Sequence, residues 1–502
     1  MTPPRDAILA LYNRIADLSH AAAILEWDQE TYMPDGATPS RAHQIATLRR
    51  LAHEFATSDE LRQALESLES YVREEPDDDF AAALARIGRR DFDRATRLPA
   101  NFVAKLAETE SRAKTAWRLA REANDFSRLR DDLEGIVDLN KEKAALLGFD
   151  DHPYDALLDQ FEPGMTTAAV SGLFSDLRAE LVPIVAAIAE KRDDRASLLR
   201  REFDPAKQWE IGERLIRQIG FDFNAGRQDR SAHPFCTSFS IDDVRITTRV
   251  DPDFFPSAFF GTLHETGHGL YEQGVDRRFE RTPLADGTSL GMHESQSRMW
   301  ENQVGRSRPF VDFVWPILTG AFAQLSGSGA EDIYRAINAV EPSLIRVEAD
   351  EVTYNLHVML RFELEVALFE NRLEVRDLPH AWNEAMDAYL GVRPSGDAAG
   401  VLQDIHWSMG GFGYFPTYTI GNLMSAQLFE RAAEEIADLD ERIRRGRFDA
   451  LLLWLRHNVH RHGRSKSAES ILRDVTDRGL TAEPWLAYVR TKYSDLYDLD
   501  LR

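Results

Sequence analysis

Residues 264–268 read His-Glu-Thr-Gly-His. On a helix, positions i and i+4 sit about 40° apart around the axis and one turn apart along it, so both imidazoles can reach one ion. Zinc takes imidazole nitrogen at about 2.0–2.1 Å, and a catalytic site combines three protein ligands with one open position. Glu265 lies about 100° further around the axis, off the ligand row but within reach of a water on the ion. Zinc lowers the pKa of such a water to about 7, and a carboxylate can take its proton as it attacks a carbonyl. The pattern predicts zinc-dependent hydrolysis, with His264 and His268 as ligands and Glu265 as general base. Its rivals are chance and a surface helix carrying two solvated histidines. Gly267 favours the rivals, because a helical Gly costs about 1 kcal/mol against Ala.

A third ligand is needed. A third histidine in the HExxHxxGxxH register is absent, because Tyr271 and Gly274 stand where Gly and His are required. The other solution is a Glu on a later helix. Residues 293–301 read His-Glu-Ser-Gln-Ser-Arg-Met-Trp-Glu, and Glu294 follows His268 by 26 residues, beyond a Pro- and Gly-containing stretch able to reverse the chain. Glu294 is the expected ligand, with Glu301 and Glu272 as alternatives. Glu272, four residues after His268, should point past the ion, and His293, beside Glu294, should point away from it.

The elements that must position these groups read mostly as helix. From Asp6 to Leu25 apolar residues recur mainly every three or four positions, giving one apolar stripe. Similar patterns cover residues 39–56, 58–71, 81–92, 100–122, 126–147 and 167–191, separated by Met33-Pro-Asp-Gly, Glu75-Pro-Asp-Asp and Glu162-Pro-Gly. Residues 233–250 break the pattern. They are rich in Thr, Ser, Val, Ile and Phe, with Val244, Ile246 and Thr248 alternating with Arg245, Thr247 and Arg249, which predicts one or two strands. Helix resumes at Pro256. No long linker or internal repeat is visible, so the expectation is a mainly α chain forming one helical unit over 1–502, with a lid-like subregion (1–165) and a catalytic core (166–502).

The 84 Asp+Glu exceed the 60 Lys+Arg, giving a formal charge of −24. Such a surface repels phosphate backbones, which argues against nucleic acid as a partner. With the single Cys236, neither an internal disulfide nor a cysteine-rich metal site is available. No stretch of about 18 uncharged apolar residues suggests a membrane span, and no basic flank followed by an apolar run suggests a signal peptide. A cytoplasmic protein is expected.

Beyond the metal motif, His233-Pro-Phe, Asp243-Val-Arg-Ile-Thr247, His293-Glu-Ser-Gln, Ile345-Arg-Val-Glu-Ala-Asp350, residues 400–407 ending in Asp404-Ile-His-Trp407, Gly413-Tyr-Phe-Pro-Thr-Tyr418 and, near the N-terminus, Trp27-Asp-Gln-Glu-Thr-Tyr-Met-Pro34 occur in order along most of the chain. In these stretches the sequence resembles the carboxypeptidase Taq family of zinc metallocarboxypeptidases. The resemblance implies a mainly helical fold with a long substrate groove, a small β-sheet on its wall and N-terminal helices over its mouth. It implies removal of single C-terminal residues from peptides with broad specificity, C-terminal proline excepted, and a homodimer. One Zn²⁺ per chain, replaceable by Co²⁺ or Mn²⁺, would be held by His264, His268 and Glu294, with Glu265 as base.

A carboxypeptidase must also recognise a free α-carboxylate, which in a partly dry groove calls for a cation, and the planar fork of Arg suits it. Arg346 is the first candidate and Arg245 the second. The alternative for Arg346 is a helix-surface salt bridge with Glu348 or Asp350. The oxyanion formed on attack needs a donor besides the ion. Tyr414, Tyr418 and His406 are candidates, the tyrosines lying in a Gly-rich segment that permits close approach of backbone to substrate. His233 could bond substrate backbone or be structural. Asp350 and Asp404 could each orient a ligand histidine or serve as caps. His457, His460 and His462 lie in a basic segment expected to be a solvated face. Competing readings are a zinc endopeptidase or dipeptidyl carboxypeptidase using the same ligands, and a helical scaffold with a degenerate site.

Overall fold

The helical periodicity resolves into long helices: Pro4–Thr31, Thr38–Ala56, Asp59–Glu74, Asp79–Arg97, Ala100–Ala123, Ser127–Leu147 and Thr167–Ala189 in the first part of the chain. The structure, a computed structural model, describes residues 4–191 and 194–501. The expected breakers fall between elements. Among the described residues, no helix is long and apolar enough to cross a membrane.

The chain divides into two compact units that interleave in sequence. One comprises Met1–Thr96, Arg195–Ile337 and Gln427–Gly479, the other Arg97–Asp194, Asn338–Ala426 and Leu480–Arg502. The seams do not fall at the expected boundary near residue 165. Periodicity reports local structure and carries no information on which distant segments share a core.

In the first unit, the N-terminal helices bury Ile8, Leu11, Leu61, Leu65, Leu68 and Leu84 together with Phe279 and Leu284. The same unit holds a three-stranded sheet: β1 (Gly226–Arg230), β2 (Cys236–Ser240) and β3 (Asp243–Thr248), in the order β1-β3-β2. β3 pairs parallel with β1 (Gly226↔Val244 to Arg230↔Thr248) and antiparallel with β2 (Cys236↔Ile246), with an irregularity between Ser238 and Ser240. The β-rich composition of 233–250 foretold β2 and β3. β1, Gly-Arg-Gln-Asp-Arg, lacks apolar alternation and is a strand only because β3 offers it a ladder.

The sheet backs the motif helix, Phe255–Glu272, which has proline in its first turn. Thirteen of its eighteen residues are buried, including Phe259, Phe260, Leu263, Leu270 and Tyr271. A Cβ on Gly269 would lie 2.8 Å from the Phe221 ring and 3.2 Å from Ile246 on β3, so glycine there lets helix and sheet approach. Gln228 of β1 donates to Thr262 of the helix at 3.1 Å. This is a core element, not a surface helix with solvated histidines.

In the second unit, the helix Tyr354–Phe369 is buried along most of its length, and it carries Arg361 and Glu365 inside that apolar surface. Three donors converge on Glu365: the Tyr154 hydroxyl (2.6 Å), the Trp407 indole N–H (2.7 Å) and the backbone N–H of Gly413 (3.0 Å). The segment bearing His406, Tyr414 and Tyr418 is thereby pinned at two points. The basic C-terminal segment of the first unit departs from expectation at His460. It is fully buried, with Nε2 2.9 Å from Gln296 Oε1 and its ring against Tyr271, while His457 is exposed.

Candidate active site

The acid helix, Leu290–Arg298, is capped by Ser289, whose side chain accepts from the Met292 N–H. It crosses the motif helix at Gly267. A Cβ there would lie 2.4 Å from Gln296 O and 2.5 Å from Ser297 Cα, contacts that no side chain can make. The glycine that weakens the motif in isolation is what admits the second helix.

That crossing brings Glu294 to the two histidines. Its Oε2 lies 3.5 Å from His264 Nε2 and 3.4 Å from His268 Nε2, and the three ligand atoms all fall within 4.8 Å of one another. Two ligand atoms each about 2.1 Å from an ion, at a tetrahedral angle, lie about 3.4 Å apart. Two imidazole nitrogens and a carboxylate oxygen at this spacing fit a divalent metal, and the histidine side chains keep 19% and 16% exposure, leaving one side open.

Each of these three side chains is gripped from behind. His264 Nδ1 is 2.9 Å from Glu301 Oε2. Glu301 stands on a π-helical stretch, Met299–Val304, that directly follows the acid helix. Such single-turn distortions re-aim side chains. Arg298 donates to Glu294 at 2.7 Å and to Glu301 at 3.2 Å, Arg306 approaches Glu301 at 3.4 Å, and the Ser297 hydroxyl donates to Glu294 at 3.0 Å. Glu301, an alternative ligand by sequence, is thus the partner of His264. Glu272, the other alternative, bonds His293 Nε2 at 2.7 Å, and His293 Nδ1 lies 2.5 Å from His268 Nδ1. Arg298, Arg306 and Ser297 escaped the sequence reading, although Arg298 stands four residues after Glu294 and three before Glu301, the spacing of helical neighbours.

The electrostatics follow from burial and these contacts. Burial pushes the Glu265 carboxyl up to about 7, with the charge of Glu294 adding to it and His264 opposing. For Glu301 burial works the same way, but Arg298 and the bond to His264 outweigh it and hold the group near about 2. Glu294 is held well below the usual carboxylate range, burial being overcome by Arg298 and the two histidines. Burial drives His268 down to about 3, so its imidazole is neutral, the form that binds metal.

The other sequence candidates divide between the units. In the first, Arg245 on β3 pairs with Asp243 at 2.9 Å and stacks between Trp27 (4.2 Å) and Phe239 (4.8 Å). His233 is exposed, and its carbonyl accepts from the Ser231 hydroxyl at 2.6 Å. In the second, Arg346 is 4% exposed and pairs with Asp404 at 2.8 Å, not with Glu348 or Asp350. It also donates to the Tyr354 hydroxyl at 2.7 Å and lies 5.0 Å from the Tyr418 ring centroid. Arg361, fully buried, binds the other oxygen of Asp404 at 2.6 Å. Sequence reading passed over Arg361, although a lone guanidinium in an apolar helical run signals a buried pair. Asp404 therefore holds arginines, not a ligand histidine. Asp350 accepts from the Thr353 hydroxyl and the backbone of Val352, Thr353 and Glu341, as a turn-former does. His406, driven down to about 4 by burial and then by Arg346, is neutral, with Nε2 3.4 Å from the Tyr418 hydroxyl. Tyr414 packs edge-on to Phe161 and against His406.

Comparison with known proteins places the chain among them. A family model described as carboxypeptidase Taq (M32) metallopeptidase matches residues 7–493. Thermostable carboxypeptidase 1 of Thermus thermophilus is 43% identical over 502 residues, 98% of each chain, and carboxypeptidase 1 of Bacillus subtilis is 37% identical over 489 residues, 97% of each. A crystal structure of an M32 carboxypeptidase from Deinococcus radiodurans R1 matches with a TM-score of 0.96 at 42% identity, covering 99% of this chain and 100% of that one. With a family match over almost its whole length, this chain belongs to the carboxypeptidase Taq (M32) family of metallopeptidases.

Proposed function

We propose that the protein is a zinc-dependent carboxypeptidase that releases single residues from the free C-termini of peptides. The observation that carries the reading is the convergence of His264 Nε2, His268 Nε2 and Glu294 Oε2 at tetrahedral spacing, with Glu265 on the same helix. His264, His268 and Glu294 would hold the zinc, which when bound would supply Lewis acidity to the scissile carbonyl and to an attacking water. Glu265 takes the proton of that water at its carboxylate and hands it to the departing amine. A base with a pKa near the working pH does both steps well, and burial has already moved Glu265 in that direction.

Recognition of the free carboxylate is assigned to Arg346. It belongs to a buried cluster in which two guanidiniums, Arg346 and Arg361, face one carboxylate, Asp404, with His406 neutral. The cluster therefore carries an unbalanced positive charge that an anion can neutralise. Tyr418, against both Arg346 and His406, is the assigned oxyanion or carboxylate donor in preference to Tyr414. A C-terminal proline lacks the amide N–H of other residues and should be disfavoured, with other side chains broadly accepted.

The test uses N-blocked peptides as free acids and as C-terminal amides, with and without a chelator, beside a Glu265→Gln variant. The free acid should lose one residue at a time, the amide should resist, and the chelator should stop turnover. Glu265→Gln should lose about 10²–10⁴-fold in turnover with its metal retained. Equal cleavage of acid and amide would overturn the exopeptidase reading in favour of an endopeptidase.

A further inference from the structure

The two ligand histidines are backed differently, and the difference assigns a role to a residue outside the ligand set. A neutral imidazole that binds an ion through Nε2 carries its proton on Nδ1 and needs an acceptor there. His264 has one directly, the Glu301 carboxylate at 2.9 Å. His268 has no carboxylate at that nitrogen. What faces it is His293 Nδ1 at 2.5 Å.

We infer that His293 is a positioning residue, whose Nδ1 accepts the Nδ1 proton of His268 and whose Nε2 passes the orienting pull on to Glu272. The inference rests on the metal reading of the same site. If His268 donates, His293 Nδ1 is the bare nitrogen, and its only proton is on Nε2. That nitrogen points at Glu272 Oε1, 2.7 Å away, and the second oxygen of Glu272 accepts from the Ser238 hydroxyl of β2 at 3.1 Å. With His268 donating from Nδ1, every donor in the chain Ser238→Glu272←His293←His268 has an acceptor. With the other tautomer of His268, Nε2 would carry the proton and face Glu294 as a donor, closed to an ion.

The surroundings hold the His293 ring in this pose. A Cβ on Gly287 would lie 2.6 Å from His293 Cδ2, so a side chain there would displace the ring. The Tyr271 ring packs against it, tilted by 51°, at 5.1 Å between centroids. Glu272 closes the motif helix and His293 opens the acid helix, so the relay also ties together the two elements whose crossing forms the site.

The test compares His293→Asn with His293→Leu. Leu fills the volume but offers no acceptor. Asn presents a carbonyl oxygen near the position of Nδ1 and can accept from His268, though it is too short to reach Glu272. Zinc affinity is measured by chelator competition and ligand geometry by the visible spectrum of the Co²⁺-substituted protein, with melting temperature as the check on folding. His293→Leu should bind zinc about 10–100-fold more weakly, with an altered Co²⁺ spectrum, and His293→Asn should recover most of the affinity. Imidazole added to His293→Ala should do the same. Equal zinc affinity in the Leu and Asn variants, or wild-type affinity and spectrum in Leu, overturns the relay. Failure of the underlying metal reading looks different: the wild-type chain and Glu294→Ala would then bind zinc alike.

Discussion

The metal cluster of the first unit and the arginine cluster of the second are built on opposite electrostatic plans. Around His264 and His268 stand four carboxylates, Glu265, Glu272, Glu294 and Glu301, against the guanidiniums of Arg298 and Arg306. Around Asp404 stand two guanidiniums against one carboxylate, with His406 neutral and His357 held well below the usual histidine range by burial and then by Arg361 and Arg346. An unbalanced buried charge is costly. Each cluster therefore points to what it lacks, a cation in one case and an anion in the other.

The largest expected effect breaks this contrast directly. Glu294→Ala removes one of the three proposed ligands. If these share a binding free energy of about 10–16 kcal/mol, the loss is roughly 3–5 kcal/mol, or more than about a hundredfold in affinity. Metal content after desalting should fall well below one ion per chain, and turnover with it. Arg346→Ala should keep its metal and instead raise KM for free-acid peptides roughly 10–100-fold, the scale of a lost charged hydrogen bond. Full metal retention by Glu294→Ala would hand the ligand role to Glu301 or Glu272. An unchanged KM in Arg346→Ala would move carboxylate recognition elsewhere.

The second effect concerns the positive cluster alone. Burial opposes ionisation of Asp404, but Arg361 and Arg346 outweigh it and hold the carboxyl far below the ordinary range. A carboxylate depressed in the folded state stabilises fully above its unfolded pKa of about 3.9 and loses that contribution as pH falls toward the folded value. Asp404→Asn, which leaves two buried arginines without their counter-charge, should cost about 3–5 kcal/mol near neutrality. The gap between variant and wild type should be constant above about pH 5 and narrow by about 1.4 kcal/mol per pH unit below about 4. Urea titrations at several pH values measure it. A gap independent of pH would mean that the loss came from packing and not from charge.

The two clusters also differ in how far the sequence discloses them. Ligand spacing on a helix is a local property, so His264, Glu265 and His268 stand out, and Glu294 follows from the need for a third ligand and a reversal of the chain. The grip behind them is less visible. Glu301 and Glu272 read as rival ligands because sequence gives distance along the chain but not which imidazole nitrogen a carboxylate meets. Arg346 stands out, yet its partner, Asp404, lies 58 positions away, and Arg361, inside an apolar helix, is passed over. The long helices up to residue 189 are legible from periodicity, whereas Tyr354–Phe369 and Pro416–Glu435 are covered only by a general expectation of helix. β1 is not legible, because its pairing and not its composition makes it a strand. The interleaving of the two units left no local trace.

The smallest effect tests the crossing that creates the metal site. By helix propensity alone, Gly267→Ala should stabilise by up to about 1 kcal/mol. The structure reverses the sign, because the new Cβ would stand 2.4 Å from a backbone oxygen and 2.5 Å from a backbone Cα of the acid helix, neither of which can rotate away. Overpacking of this kind costs about 1–3 kcal/mol, so the net change should be a destabilisation of up to about 2 kcal/mol. Weaker metal binding should accompany it, since the acid helix must withdraw and take Glu294 with it. The second unit supplies the control. Gly172 lies within the helix Thr167–Ala189, exposed, with nothing within 4 Å of its would-be Cβ. Gly172→Ala should therefore gain about 0.5–1 kcal/mol and leave metal affinity untouched. If both substitutions stabilise alike in thermal melts, the helices do not touch at Gly267, and the close crossing that sets Glu294 beside the histidines is not how this site is assembled.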